Sequence, residues 1–173
     1  MAFISTGVEY ALHCLLYLIA PEGSRTEASV RNLAVLQGVP AEYLARLFTR
    51  LARAGIVVSA EGARGGFALA RSPDAISFLD VVNAIDGPKP LFDCCEIRTR
   101  CAVFGPEAPA WATSGRCSIH SVMLAAEERM KEELSRHTLA SLARQVAKKA
   151  PADFGVQIEN WLDDHKAIRR EPA

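Results

Sequence analysis

The sequence predicts a mainly α-helical protein with a small β wing, arranged as a winged helix-turn-helix followed by a long dimerisation helix. Two helical patterns are separated by a very short turn that contains glycine, and a glycine-rich hairpin follows them directly. A long helical pattern rich in Ala and Glu comes later. We therefore expect a winged helix-turn-helix over residues 1–90, a cysteine-bearing loop over 91–117, and the dimerisation helix with the C-terminal helices over 118–173.

Composition limits the classes of protein to consider. The chain has 173 residues, half of them hydrophobic, yet no uninterrupted apolar run is long enough to span a bilayer. Its first residues lack the basic flank and the small-residue cleavage site of a secretory signal. We therefore expect a soluble protein of the cytoplasm.

The distribution of charge predicts that any DNA-binding surface is a local patch. The formal net charge is zero, and residues 1–88 hold seven arginines and no lysine against eight acidic residues. Arginine is well suited to bidentate contacts with phosphate or guanine.

The first helix is predicted over residues 5–20, with Ser5 or Thr6 as its cap. Its apolar residues recur at helical spacing, which predicts one buried face. They are Val8, Leu12, Leu15, Leu16 and Ile19. Ser29 is predicted to cap a second helix, which Gly38 ends.

The third helix is predicted to open at Pro40, a residue favoured at the first helical position, and to end near Ala54. Its apolar face consists of Leu44, Leu47, Phe48 and Leu51. Arg46, Arg50 and Arg53 recur at four and three residues and so share another face. They form either a solvated charged face or the DNA contacts of a recognition helix. The hairpin that follows favours the second interpretation.

A β-hairpin wing is predicted from two short apolar strands around a glycine-rich tip. The strands are Ile56-Val57-Val58 and Phe67-Ala68-Leu69. Glycines at the tip allow close approach to phosphates, and Arg64 supplies charge there. The expected partner is double-stranded DNA, a pseudo-palindromic promoter operator. The predicted DNA contacts are Pro40, Glu42, Tyr43, Arg46, Arg50, Arg53, Arg64 and Gly65.

Further helices are predicted over residues 76–86, 118–137, 138–149 and 156–168. The first of them turns four residues inward, namely Ile76, Leu79, Val82 and Ile85. The long second one carries an apolar stripe of Ile119, Val122, Met123, Ala126, Met130 and Leu134. A lone winged lobe would leave this stripe partly exposed, so pairing with a second copy is favoured over packing against its own lobe.

Four of the five cysteines fall in one short stretch, which indicates a metal site. They are Cys94, Cys95, Cys101 and Cys117. An odd number of cysteines in a reducing compartment argues against structural disulfides. Zinc is one candidate metal for this site, because mixed sets of Cys and His ligands suit it. The fifth cysteine, Cys14, is predicted to lie in the core.

An enzyme is disfavoured. The adjacent Cys94-Cys95 pair differs from the C-x-x-C spacing of thiol–disulfide redox sites. The sequence also has no phosphate loop and no evident Ser/His/Asp arrangement.

Motifs along most of the chain resemble the Rrf-two family of bacterial regulators, the group that includes IscR, NsrR and RirA. The residues that carry the resemblance are Gly7-Val8-Glu9-Tyr10-Ala11-Leu12, Tyr43-Leu44-Ala45-Arg46-Leu47-Phe48, Gly65-Gly66-Phe67 and Asp80-Val81-Val82-Asn83-Ala84-Ile85-Asp86-Gly87. The resemblance covers roughly residues 3–145. It implies a winged-helix DNA-binding dimer, often with an iron–sulfur cluster between the DNA-reading lobe and the dimerisation helix.

A closer likeness is to the redox-responsive, RsrR-type members of that family. It rests on Glu9-Tyr10-Ala11-Leu12-His13-Cys14, Asp86-Gly87-Pro88 and Phe92-Asp93-Cys94-Cys95-Glu96-Ile97-Arg98. This likeness implies a 2Fe-2S cluster held by Glu9 and His13 of one chain and by Cys94 and Cys117 of the partner chain.

A second set of ligands is present in the same sequence. IscR-like members use three loop cysteines and a histidine two residues after the last, and here Cys95, Cys101, Cys117 and His120 fit that order. The stretch between Cys101 and Cys117 is longer than usual for this arrangement. A regulator that uses zinc or a cysteine thiol switch instead of a cluster is the alternative.

Overall fold

The computed structural model describes residues 3–19, 26–60 and 66–167. The helices are α1 (Thr6–Leu16), α2 (Val30–Gln37), α3 (Ala41–Arg53), α4 (Phe78–Asp86), α5 (Ala110–Thr113), α6 (Ser118–Arg136), α7 (Leu139–Ala147) and α8 (Phe154–Ala167), and the strands are β1 (Val57–Ala60) and β2 (Gly66–Leu69). Short 3₁₀ helices cover Pro73–Ala75 and Ile97–Arg100. The chain divides into two units, one formed by residues up to Gly87 and from Leu134 onward, the other by Pro88–Glu133.

Local capping signals define the helix-turn-helix. The Ser29 hydroxyl accepts a hydrogen bond from the Asn32 N–H at 3.1 Å, and Gly38 ends α2 in the left-handed conformation. Both features match the prediction. Pro40 was predicted as the first helical residue, and this is wrong by one position: its ψ of 122° makes it the extended N-cap of α3.

The predicted first helix is also too long. It ends at Leu16 with Tyr17 as the C-cap, and the following N–H groups bond three residues back, Leu18 to Leu15 and Ile19 to Leu16. Ser5 does lie at its N-cap, but the Ser5 hydroxyl makes no capping bond. That hydroxyl and the Ser5 N–H instead donate to the carboxylate of Asp86, at 2.6 and 2.8 Å.

One core holds the first unit together. It joins the inner faces of α1 to α4 with the β-hairpin and with α7 and α8, and the predicted apolar face of α3 is buried within it. Its largest fully buried side chains include Leu15, Leu33, Leu44, Phe48, Leu51, Ile76, Leu139 and Leu162. The confirmed pattern of α3 therefore fixes which of its sides remains exposed.

The two strands form the predicted hairpin, antiparallel with Val57 opposite Leu69 and Ala60 opposite Gly66. Its tip, residues 61–65, lies outside the described residues, and so do the predicted contacts Arg64 and Gly65. The stem is also attached to the chain before α2, because Ala28 and Phe67 exchange backbone hydrogen bonds at 2.8 and 3.1 Å.

The helix predicted over residues 76–86 begins two residues later, at Phe78. Ser77 and Asp80 form a reciprocal capping box that fixes this start. Ile76, Val82 and Ile85 are buried as predicted, whereas Leu79 is only half-buried and Val81 is buried in addition.

The second unit begins with the cysteine-bearing segment and continues into α6. Residues 91–117, which show little periodicity in sequence, contain the 3₁₀ helix Ile97–Arg100 and the single turn α5. Phe104 and Trp111 pack edge to face between these two turns, with ring centroids 5.6 Å apart. The segment therefore has structure of its own.

Candidate functional site

The outward side of α3 is a polar surface that the buried apolar face holds in place. Its exposed residues are Glu42, Ala45, Arg46, Thr49, Arg50 and Arg53. Thr49 was not among the predicted contacts, although it stands three residues after Arg46 and four before Arg53. The same helical spacing that selected the arginines would have found it.

Arg46 is held close to an aromatic pair. Its guanidinium carbon lies 5.9 Å from the centre of the Tyr43 ring, and the Tyr43 ring meets that of Tyr10 edge-on at 6.0 Å. Tyr43 is half-buried, so only part of it faces solvent. α3 and α1 thus share an aromatic contact beside a predicted DNA contact.

Arg50 has a partner within the protein. Its Nη1 donates a 2.6 Å hydrogen bond to the backbone oxygen of Ile85, at the C-terminal end of α4. A cation at a helix C-terminus is favoured by the helix dipole. Arg50 therefore ties α3 to α4, whereas Arg53 has no hydrogen bond or ion pair among the described residues.

Two predicted ligands lie on α1. Glu9 and His13 are four residues apart, both are exposed, and both line one cavity of about 1120 Å³ in the first unit. Within residues 3–19, 26–60 and 66–167, neither side chain has a hydrogen-bond or ion-pair partner. Their oxygen and nitrogen lone pairs are therefore open to a ligand.

The cysteines differ in their surroundings. All five are free thiols; Cys94 and Cys117 are half-buried, and Cys95 and Cys101 are exposed. Cys14 is fully buried in the core, as predicted, and burial raises the pKa of its thiol from 9.0 to about 12. Cys14 is thus a poor nucleophile and a poor metal ligand.

Contacts inside the second unit hold the start of the cysteine segment. The Glu127 carboxylate on α6 accepts a hydrogen bond from the Leu91 N–H at 2.9 Å and is paired with the Lys131 ammonium at 2.6 Å. The ring of Phe92 lies 6.0 Å from that of His120. His120, the alternative ligand, is thus in contact with an aromatic ring.

The donor chemistry of these residues suits an iron–sulfur cluster. Thiolates bind such irons, and imidazole or carboxylate can replace part of the thiolate set. Among the described residues, no three His, Cys, Asp or Glu side chains of one chain come together as a metal site. A ligand set drawn from two chains, as the resemblance implies, does not require them to do so.

Comparison with known proteins identifies the class. The family described as "Rrf2: Iron-dependent Transcriptional regulator" matches residues 4–145, and the chain belongs to this Rrf2 (Rrf-two) family. Protein rrf2 of Nitratidesulfovibrio vulgaris (Hildenborough) is 30% identical over 144 residues, 83% of this chain and 89% of the relative. The protein is therefore a DNA-binding transcriptional regulator and not an enzyme.

Two solved structures show the same fold. CymR (YrzC), the global cysteine regulator of B. subtilis, matches with a TM-score of 0.62 at 26% identity, covering 84% of this chain and 98% of that one. IscR of T. potens matches with a TM-score of 0.60 at 25% identity, covering 87% of this chain and 93% of that one.

Among the described residues, none of the helices combines the length and apolar character that a bilayer crossing requires.

Proposed function

We propose that this regulator works as a homodimer and senses redox or iron status through a 2Fe-2S cluster. The observation that carries the proposal is the pair Glu9 and His13, two exposed side chains with free donor atoms on one side of α1. The partner chain would add Cys94 and Cys117, in keeping with the RsrR-type resemblance. When bound, such a cluster would supply a one-electron change of charge.

α1 is in a position to pass such a change to the recognition helix. A Cβ atom added at Gly7 would lie 2.8 Å from the Tyr43 hydroxyl and 3.2 Å from a Leu47 methyl carbon, so the two helices touch there. A shift of α1 must therefore be accommodated by α3.

A second connection runs through α4. Asp86 accepts two hydrogen bonds from Ser5 before α1, and the neighbouring carbonyl of Ile85 accepts one from Arg50 on α3. A change of charge at Glu9 and His13 would then turn α3 through both routes. Dimeric readers need their recognition helices about 34 Å apart, so a small rotation weakens simultaneous docking. A coupling of ~1–3 kcal/mol would alter operator occupancy by several-fold to a hundredfold.

The DNA-reading surface would be formed by the exposed side of α3 with the wing. Pro40, Glu42, Tyr43, Thr49 and the arginines Arg46 and Arg53 belong to it, as do Arg64 and Gly65 at the tip. Arg50 would contribute mainly by holding α3.

Charge removal tests this surface. Arg46→Gln or Arg53→Gln should weaken operator binding and, for a phosphate contact, lower the slope of log affinity against log salt by about one. Arg144→Gln is the matched control, because Arg144 lies on α7 and only forms an exposed ion pair with Asp74. Affinity and slope that stay at the wild-type values in the α3 variants would contradict the assignment.

Cluster binding is tested by anaerobic purification with visible absorption and counts of iron and acid-labile sulfide. The wild type should be coloured and should contain both, and Cys117→Ala and His13→Ala should lose them. Cys14→Ala is the control, because that thiol is buried in the core. Colourless wild-type protein without iron or sulfide would refute the cluster.

A thiol switch is the second candidate, supported by the exposed free thiols of Cys95 and Cys101. Zinc bound by the same cysteines is the third. Zinc would appear in metal analysis without colour or sulfide. A thiol switch would show as oxidant-dependent DNA binding that Cys95→Ser or Cys101→Ser abolishes in metal-free protein.

A further inference from the structure

Arg98 joins two distant stretches of the cysteine segment. It lies in the 3₁₀ helix Ile97–Arg100, and its Nη2 donates a 2.7 Å hydrogen bond to the backbone oxygen of Gly115, 17 residues further on. Its Nη1 makes a longer contact of 3.4 Å with the oxygen of Ser114, and its Nε is paired with the Glu96 carboxylate. We call these four residues the Arg98 bracket.

The bracket falls beside the predicted ligands at both of its ends. Glu96 follows Cys94 by two residues, and Gly115 precedes Cys117 by two. The two stretches that carry these thiols are therefore linked by a guanidinium.

The backbone is left-handed at both ends, which is ordinary for a glycine but unusual for Glu96. Gly115 has a φ of 66°, and Glu96 has a φ of 48°, so both occupy the left-handed region. For a residue with a side chain this conformation costs about 1–2 kcal/mol. Such backbone persists where surrounding contacts fix it, and Arg98 contacts both residues.

An ordinary surface ion pair does not account for this arrangement. An exposed pair between Arg98 and Glu96 alone would contribute about 0–1 kcal/mol and would connect only neighbours in sequence. The side chain of Arg98 is instead only 24% exposed, and its forked end reaches main-chain oxygens on the far side of α5. A planar fork with several donors is what this geometry uses, and lysine lacks it.

We propose that Arg98 is a positioning residue that holds the Cys94 and Cys117 stretches at a fixed separation, so that their thiols are ready to bind one iron centre. The purpose of the bracket rests on the proposed cluster function, whereas the contacts of Arg98 that form it are seen in the structure. Preorganised ligands lose less conformational freedom on binding, so the bracket slows loss of the cluster. Cys95 and Cys101 are not required for this role.

The first experiment needs no metal. Full-length apo protein with Cys95→Ser and Cys101→Ser retains Cys94, Cys117 and the buried Cys14, and dibromobimane then cross-links thiols a few ångströms apart. We expect Cys94 to be joined to Cys117, and the rate to fall at least several-fold in Arg98→Gln and in Arg98→Lys. Arg100→Gln is the matched control, because this exposed arginine of the same 3₁₀ helix makes no hydrogen bond or ion pair within the described chain.

Three results of that experiment would overturn the bracket. One is a wild-type background that forms no such cross-link. Another is an equal rate in all four proteins. A wild-type rate in Arg98→Lys alone would also overturn it, because charge and not the fork would then be responsible.

The second experiment uses the anaerobically loaded protein. Arg98→Gln and Arg98→Lys should release iron to a chelator at least several-fold faster than the wild type and Arg100→Gln. Arg98→Gln should also lower the reduction potential, because a positive charge near the thiolates is removed, whereas Arg98→Lys should not. A merely destabilised fold would not separate the two variants in potential.

The outcomes separate the two proposals. If the wild type contains neither iron nor sulfide, the cluster is refuted, while the cross-linking rates still decide the role of Arg98. If the wild type is loaded and all Arg98 variants cross-link and release iron like it, the bracket is wrong and the cluster function stands.

Discussion

Among single residues, Glu127 is the one buried charged side chain of the described chain, with 8% of its surface exposed. The hydrogen bond from Lys131, and after it the hydrogen bond from the Leu91 N–H, lowers the pKa of its carboxyl below the ordinary value of 4.5. Because these contacts favour the ionised form, Glu127 stabilises the fold above pH 4.5, and this contribution is lost as the pH falls through the lowered pKa.

Glu127→Gln should therefore reduce the acid sensitivity of the protein. In urea unfolding followed from pH 7 down to pH 3, the wild type should lose more stability below pH 4.5 than the variant does. Glu128→Gln removes an equal charge from the exposed neighbouring position and serves as the control. Parallel curves for the wild type and Glu127→Gln would show that this carboxylate is not linked to folding.

Arg50 leads to a second prediction at this scale. Arg50→Met keeps the apolar stem but removes the donor to the Ile85 oxygen, which should cost about 1.5 kcal/mol, the low end for a hydrogen bond with a charged partner. Arg53→Met should change stability by no more than about 0.5 kcal/mol, as expected at the surface. Equal denaturant midpoints for the two variants would contradict the structural role of Arg50.

These two arginines also mark a limit of inference from sequence. Arg46, Arg50 and Arg53 have the same type and a common helical spacing, so the sequence assigns them one role. The partner of Arg50 lies 35 residues away, and only the packing of α3 against α4 brings it close. The hydrogen bond from Arg98 to Gly115 likewise joins residues 17 positions apart, and only the folded segment brings them close.

Among the elements, both ends of α2 were predicted correctly, because their signals are local. Ser29 and Gly38 determine the bounds of α2 through contacts with residues at most four positions away. The start of α4 was missed by two residues, because Ile76 is buried like a helical residue although its backbone is extended. A burial pattern alone does not distinguish a buried residue in a helix from a buried residue with an extended backbone.

The cap of α2 yields the prediction that belongs to this scale. Ser29→Ala removes the acceptor for the Asn32 N–H and should lower the free energy of unfolding by about 1 kcal/mol. Ser72→Ala is the matched control, because Ser72 is an N-cap without a side-chain capping bond and should change little. The measurement is the urea midpoint, and equal midpoints in the two variants would contradict the capping role.

At the scale of the whole molecule, α6 carries apolar side chains that the single chain does not cover. Ile119 is 64% exposed and Val122 67% exposed, and Met123 is at 36%. They belong to the stripe from which the sequence predicts pairing with a second copy. This exposure supports the proposed homodimer.

The substitution Val122→Asp tests the proposed homodimer. A charge within an apolar interface between two copies should turn the dimer into a monomer in sedimentation experiments and weaken operator binding, because two recognition helices would no longer be linked. Val103→Asp is the control, because Val103 is a valine of the cysteine segment that is exposed still further, at 84%. Unchanged sedimentation of the Val122→Asp variant would show that this part of α6 does not lie in a dimer interface.

Of the candidate cluster ligands, Glu9 and His13 were reached from sequence only through the family resemblance. Glu9 and His13 have the spacing of a routine pair on a helix surface, and nothing local separates a metal ligand from a solvated side chain. The four clustered cysteines did indicate a metal by their density alone. What sequence could not supply is the framework around them, because Glu127 and Arg98 act over separations of 36 and 17 residues.

The attachment of β2 to the segment before α2 has a consequence for how an operator is measured. Gly66 passes so close to Ala28 that a Cβ there would meet its carbonyl oxygen at 3.0 Å, and the adjoining Phe67 is bonded to Ala28 in both directions. The hairpin stem and the start of α2 are thus expected to move together. We therefore expect a signal to alter the spacing of the two half-site readers more than the relative placement of helix and wing within one half-site.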